Sequence, residues 1–513
     1  MRNRVSIFTT WPLLAALAGS AGASGAELRI SVVGPDREPA WARLEIRGDD
    51  GQMYQPAASL LRDRTARSRP RGGPWYLGSF VAHGQAVVEV PAGSYTVVAE
   101  RGPEFSRIES RITVSEEQTA EVVARLEPWI RMNELGWWSA DFHIHRPPED
   151  VQKLLLAEDL NLGVVFTMWN KRDLWEGKEL PSDQEVEVDR HHQMTVLNAE
   201  DERGGGAWML HGLRRKLDLA MAGRWFPAGL HFIREAKQQR SGAREFPWFD
   251  SEKPFWWEVP VVMALSPPDS LGVIHNHFNQ YGIFDSEAWG RPRDREGYPG
   301  PEGFVEASLD LYYRYLNLGF RPLPSAGSAS GVLPNPVGYN RIYVQMEQPF
   351  TVKRWYEAYR ANPSFVTNGP MLFLETVELP NQRVRLTINV RSRDPLDRVE
   401  IVANGRVVRT LQVPEGETSL DAEVTRPSGE QTWLAVRCFG DSDSTIRMAH
   451  SRPVFFGDAF GDARADAQFF VDWIDELIAL TKAEPDRFAS DSDRAAVLSI
   501  YQQARSFYDN RTR

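Results

Sequence analysis

Between Gly136 and Trp169 the chain reads strand, helix, strand, and this stretch limits its folding most. "WWSADFHIH" is a β-rich run, and "PPEDVQKLLLAEDLNLG" has helical spacing. Pro148 and two acidic residues open that helix, and Gly163 follows its end. "VVFTMW" is β-rich again. Two strands joined through a helix form a β-α-β unit, the building block of α/β folds with parallel sheets. In such folds, functional sites gather where strands end at their carboxyl side.

Later segments continue the theme. "MTVLNAED", "VPVVMALS" and "LGVIHNHF" read as strands, "GFVEASLDLYYRYLNLG" as a helix, and "RPLPSAGSASG" fits the same pattern. The flanks differ. Residues 27–129 alternate in "ELRISVV", "ARLEIRG" and "QAVVEVPAGSYTVVAERG", with a hairpin expected across Pro91-Ala92-Gly93. Residues 55–75 form a basic loop without a period. From residue 371 the β pattern returns, with Asn404-Gly405 as a strong hairpin signal. Phe469, Phe470, Trp473, Ile474, Leu477 and Ile478 recur at helical spacing and predict an amphipathic helix over 458–482. The expected division is a signal peptide at 1–26, a β-sandwich domain at 27–129, and an α/β domain at 130–370. A second β-sandwich domain at 371–456 and a helical tail at 457–513 complete it.

Arg2 and Arg4 precede a mainly apolar run and the small residues of "AGSAGASGAE", the pattern of an export signal. Cleavage is expected after Ala23 or Ala26, with the product periplasmic or extracellular. No stretch reaches the roughly 20 apolar residues of a membrane span, so no stable span is expected. A net charge of −11 spread along the chain argues against a nucleic-acid partner. The single cysteine, Cys438, rules out an internal disulfide and fits a buried strand position.

Ten histidines occur in 513 residues, and four of them fall in two His-x-His pairs. His143 and His145 follow Asp141 at strand spacing, so all three share one face of the strand. His275 and His277 form the second pair. Glu200 ends another strand, and His211 lies beyond a glycine-rich turn. Imidazole and carboxylate donors together suit Zn²⁺, Mn²⁺ or Fe, and spacing does not choose among them. For Glu200 a structural salt bridge is the other reading, and for His211 an ordinary core position. Other chemistries fit less well. "GSASG" has alanine where a nucleophile elbow has serine, "RGGGAW" lacks the lysine of a phosphate-binding loop, and no dinucleotide fingerprint occurs.

"GWWSADFHIH" resembles the opening metal motif of the polymerase and histidinol phosphatase (PHP) superfamily, most nearly its exported carbaryl-hydrolase branch. "NAED", "GYNRIYV" and "FVTNGPM" occur in matching order. The resemblance implies a distorted (β/α)7 barrel with one or two divalent metals at its C-terminal face. It implies His143, His145, Glu200, His211 and His275 as ligands. Asp141 and His277 would be ligands, supporting groups or acid/base groups, and Arg341 would hold an anionic group or a structural salt bridge. The activity implied is hydrolysis of a phosphoester, amide, ester or carbamate bond of a small-molecule substrate. Met168, Trp169, Ala329 and Gly331 stand where the family often carries further ligands, which leaves a non-catalytic binding protein as the alternative.

Overall fold

The computed structural model describes residues 26–56, 61–62, 79–116, 118–240, 246–428, 433–442, 444–456 and 463–513. The expected export signal at 1–26, all but Ala26, and most of the loop expected at 55–75 lie outside the described residues. So do residues 457–462, where the C-terminal helix was expected to begin.

Residues 26–125 build one sheet with a core of its own. Ala26–Val33 alternates buried and half-buried residues along its whole length, placing Leu28, Ile30 and Val32 inside. It runs parallel to Thr119–Arg125 and antiparallel to Gln85–Val90. The hairpin expected across Pro91-Ala92-Gly93 is not formed. Gln85–Val90 and Gly93–Glu100 are separated in the sheet by Trp41–Gly48 and Phe80–His83. Alternation identifies a strand but does not name its partner.

The central region corrects the expected (β/α)7 barrel. The described residues hold twenty-nine strands and seven α-helices, and the largest sheet is a mixed one of sixteen strands. Trp137–Ile144, Leu162–Trp169 and His192–Glu202 are parallel neighbours, as the β-α-β reading requires. After Glu202 the order changes. The chain turns back through Gly204, Gly205 and Gly206, so Ala207–His211 pairs antiparallel with His192–Glu202 and then with Trp248–Ser251. A four-residue reversal leaves no room for the crossover helix that parallel neighbours need. Trp248–Ser251, Ser270–Ile274 and Leu323–Ala326 then run parallel. On the other side, Arg341–Gln345 pairs antiparallel with Trp137–Ile144, and the ladder passes through Ser364–Thr367 into Arg447–Ser451 and the C-terminal strands. An isolated bridge, Ile144 to Ser330, rather than a continuous ladder, joins the Asp-His-His strand to the segment after Leu323–Ala326.

Two local readings also change. "VPVVMALS" is the helix Val259–Leu265, with Pro260 in its first turn, where a missing N–H costs nothing. The helix after the Asp-His-His strand, Pro148–Glu158, ends at Asp159 in the left-handed region (φ 49°) rather than at Gly163. Gly163 instead lies in the next strand, where a Cβ would approach Leu155 Cδ2 at 3.1 Å and Ile144 Cδ1 at 3.2 Å. The Asn404-Gly405 hairpin forms as expected, joining Leu396–Ala403 to Arg406–Gln412 with both turn residues at positive φ.

A three-stranded sheet of Met371–Leu379, Arg383–Arg391 and Ser419–Pro427 packs over the C-terminal part of the large sheet. Leu386, Ile388 and Val390 share that core with Trp137, Tyr343 and Cys438. Burial pushes the Cys438 thiol up to about 12, making it inert. Helices Arg464–Ala483 and Asp491–Asp509 bury Phe470, Trp473, Leu477, Tyr501 and Tyr508 in the central core. Phe469 is only half-buried, under the guanidinium groups of Arg314 and Arg291. Among the described residues, no helix is long and apolar enough to cross a membrane.

Candidate metal centre

The strand Trp137–Ile144 is buried on both faces, so each of its polar side chains must find a partner inside. His143 and the following His145 turn their imidazoles toward Glu200 at the end of His192–Glu202. The two Nε2 atoms are 2.9 Å apart, Glu200 Oε2 is 2.8 Å from His145 Nε2, and the same oxygen is 3.5 Å from His143 Nε2. One ligand atom from each residue falls within 4.8 Å of the others. The parallel register makes this possible, because both strands deliver their carboxyl ends to the same edge.

Backbone packing holds the histidines in place. Ser330 O accepts the His145 N–H at 2.8 Å. Gly327 lies so close that a Cβ would sit 2.6 Å from His143 Cβ, and Gly331, at φ 99°, would bring one to 3.0 Å from the His145 carbonyl carbon. The glycines of "GSASG" therefore allow this segment to lie against the Asp-His-His strand.

Burial would push Glu200 up, but the His143 and His145 imidazoles beside it hold its carboxyl down at about 2. Burial would lower His143, yet Glu200 and Glu252 push it up to about 10. Burial dominates at His145 and lowers it despite Glu200. His143 thus lies between two buried carboxylates, Glu200 at its Nε2 and Glu252 at its Nδ1. The donor set fits a divalent ion. Glu200 Oε2 has no well-aligned hydrogen-bond donor. The two Nε2 atoms stand 2.9 Å apart, so a small opening would let both hold one divalent ion. Two imidazoles and one carboxylate match the three-ligand sets of catalytic zinc sites.

The remaining expected residues are distributed differently. Asp141 spends both oxygens on backbone N–H groups, Oδ1 on His143 and Ser328, Oδ2 on Gly338. Arg341 is fully buried and donates to the carbonyls of Gly338, Asp159 and Glu158, so its guanidinium faces no open site. His211 lies behind Phe166, edge-on to Phe142, with Nδ1 3.1 Å from the Tyr356 hydroxyl and Nε2 without a partner. Burial, then His143, lowers it to about 3. His275 and His277 follow the end of Ser270–Ile274 and pack among Phe255, Phe278 and Phe304. Burial lowers both, His277 to about 3, and His275 Nε2 and His277 Nδ1 have no hydrogen-bond partners among the described residues. Neither belongs to the group of ligand atoms that His143, His145 and Glu200 bring within 4.8 Å of one another.

Three residues were not singled out from sequence. Glu252 places Oε1 3.2 Å from His143 Nδ1 and pairs its other oxygen with Lys253. Lys253 also lies 4.8 Å above the Trp256 ring. Glu202 accepts from Trp169 Nε1 at 2.9 Å, and burial followed by Glu200 and Glu252 pushes its carboxyl up to about 7. The signal for Glu252 was present, since "FDSEK" puts a carboxylate at a strand end as "NAED" does. Trp169 packs its ring 4.5 Å from that of His145. Its other side, with Lys171, Arg172, Glu202 and Arg224, lines an open cleft of about 430 Å³.

No family model matches this chain, and no curated protein matches it. Among solved structures, the minor pilin GBS52 of Streptococcus agalactiae is similar at 14% identity and a TM-score of 0.15. The match covers 21% of this chain and 45% of the pilin, and a likeness of that size carries no argument.

Proposed function

We propose that this protein is an exported, metal-dependent hydrolase acting on an ester, amide, carbamate or phosphoester bond of a small molecule. The observation that carries the proposal is the buried meeting of His143, His145 and Glu200, whose donor atoms face one another within 4.8 Å. Displaced pKa values of the kind seen at this buried cluster gather at functional sites. The likeness of "GWWSADFHIH" to the PHP opening motif supports the same chemistry independently of fold. A bound Zn²⁺, Mn²⁺ or Fe ion would supply Lewis-acid polarisation of the scissile group and acidify water.

The chain's own residues do the rest. His143, His145 and Glu200 hold the cation, and Phe166 and Trp169 wall the imidazoles off from bulk water. Trp169 and Glu202 line an open cleft wide enough for a small organic substrate, which reaches the cation only when the Trp169 indole turns aside, and Glu202 is set to hold or pass a proton there.

Trp169 also favours a second reading, a non-catalytic binding protein, because it puts an indole where another ligand would stand. Elemental analysis of the purified protein, a hydrolase screen, and the His143→Ala, His145→Ala double variant separate the two. We expect a stoichiometric metal in the parent, none in the variant, and hydrolysis only in the parent. Equal metal content in both would overturn the site assignment, and metal loss with no turnover in any screen would favour the binding protein.

A further inference from the structure

Among the described residues, Glu252 is the one carboxylate outside the donor group that touches one of its imidazoles. Its Oε1 lies 3.2 Å from His143 Nδ1, on the far side of the ring from the Nε2 that meets His145 and Glu200. Both atoms are buried and neither has another well-aligned partner. The other oxygen of Glu252 is held by the Lys253 ammonium, itself buried against the Trp256 ring. Strand Trp248–Ser251 delivers this pair to the same edge of the sheet as His143 and Glu200.

A histidine that binds a cation through Nε2 must carry its proton on Nδ1, and a carboxylate facing Nδ1 selects that tautomer and fixes the plane of the ring. At 3.2 Å the two atoms are within reach but imperfectly aligned, and a small rotation of the ring brings the N–H onto the oxygen. The same rotation changes the close 2.9 Å approach of the two Nε2 atoms, which a shared cation requires. Lys253 holds Oε2 of Glu252, which leaves Oε1 as the oxygen that faces His143.

We propose that Glu252, anchored by Lys253, is the positioning residue of the metal centre: it accepts the Nδ1–H of His143 and so presents His143 Nε2 to the cation. This rests on the metal-centre reading above. It predicts a rank order of zinc affinity that neither the His-x-His motif nor the donor group predicts by itself.

The test is zinc competition against a chromogenic chelator, using the full chain, with Glu252→Gln and with Glu252→Gln, Lys253→Met. The second variant removes both buried charges together and so avoids leaving an unpaired ammonium in the core. Both should bind zinc roughly 10- to 100-fold more weakly than the parent. The zinc-loaded parent should show a downfield imidazole N–H proton signal, absent from His143→Ala and shifted in both Glu252 variants. A purely structural role for Glu252 would not move that signal. Parent-like affinity in a folded Glu252 variant would overturn the proposal while leaving the metal centre standing. A parent that binds no zinc, manganese or iron would overturn both, through failure of the metal centre itself.

Discussion

Replacing Asp141 by asparagine separates a carboxylate that binds metal from one that holds backbone. Asp141 Oδ1 accepts the N–H groups of His143 at 2.9 Å and Ser328 at 3.0 Å, and Oδ2 accepts that of Gly338 at 2.8 Å. The residue is completely buried, so no water replaces a lost bond. In Asp141→Asn one oxygen becomes an NH₂ group. If Oδ1 keeps its two donors, the new amide faces the Gly338 N–H, donor against donor. A buried backbone N–H without an acceptor costs about 1–3 kcal/mol, and the two surviving bonds lose their charge-assisted strength. The total is about 3 kcal/mol. For a cooperative unit of 150–250 residues this corresponds to a fall of roughly 6–12 °C in the transition temperature. Differential scanning calorimetry measures that fall, and zinc content of the folded variant should stay close to the parent's. An unchanged transition with complete loss of metal would refute the reasoning and make Asp141 a ligand.

Three further outcomes are expected. Burial would lower His192, but Asp159 and Asp189 raise it to about 9, with Nδ1 2.8 Å from Asp189 Oδ1 and Nε2 3.5 Å from Asp159 Oδ1. A raised folded-state pKa gives stability that is full below about 6.5 and lost as pH rises through about 9, on the order of 2 kcal/mol after solvent screening. Denaturant titrations at pH 6 and pH 9.5 should show that loss in the parent but a flatter profile in His192→Gln. Deleting residues 463–513 uncovers the core beneath Phe470, Trp473, Leu477, Tyr501 and Tyr508 and removes the 2.6 Å bond from Tyr501 to Glu258, so the product should aggregate. A monodisperse, fully folded peak in size-exclusion chromatography would show the helices to be dispensable. Trp169→Ala opens His145 to the neighbouring cleft, and stopped-flow chelator competition should show zinc release accelerated at least several-fold. Release at the parent rate would mean the indole is no barrier.

Much of the local structure was legible in the chain. The β-α-β unit at 137–169, the Asn404-Gly405 hairpin and the apolar stripe of the C-terminal helix follow from period, turn chemistry and caps, which act over a few residues. The barrel expectation failed at the triple glycine 204–206, where a tight reversal replaced a crossover. "VPVVMALS" failed for a related reason, since a short apolar run suits a strand or a buried helix equally.

The donor group divides in the same way. Sequence determined that His143 and His145 share a strand face, because alternation at spacing two is a property of the extended backbone itself. It also set Glu200 at a strand end. Tertiary structure alone decided that Glu200 meets both histidines, that Asp141 turns to the backbone of Ser328 and Gly338, and that Arg341 closes on three carbonyls. It alone brought Glu252 to His143 across more than a hundred residues. The physical reason is that a side chain's direction is fixed locally, whereas its partner is whatever the register and curvature of the sheet deliver to that edge.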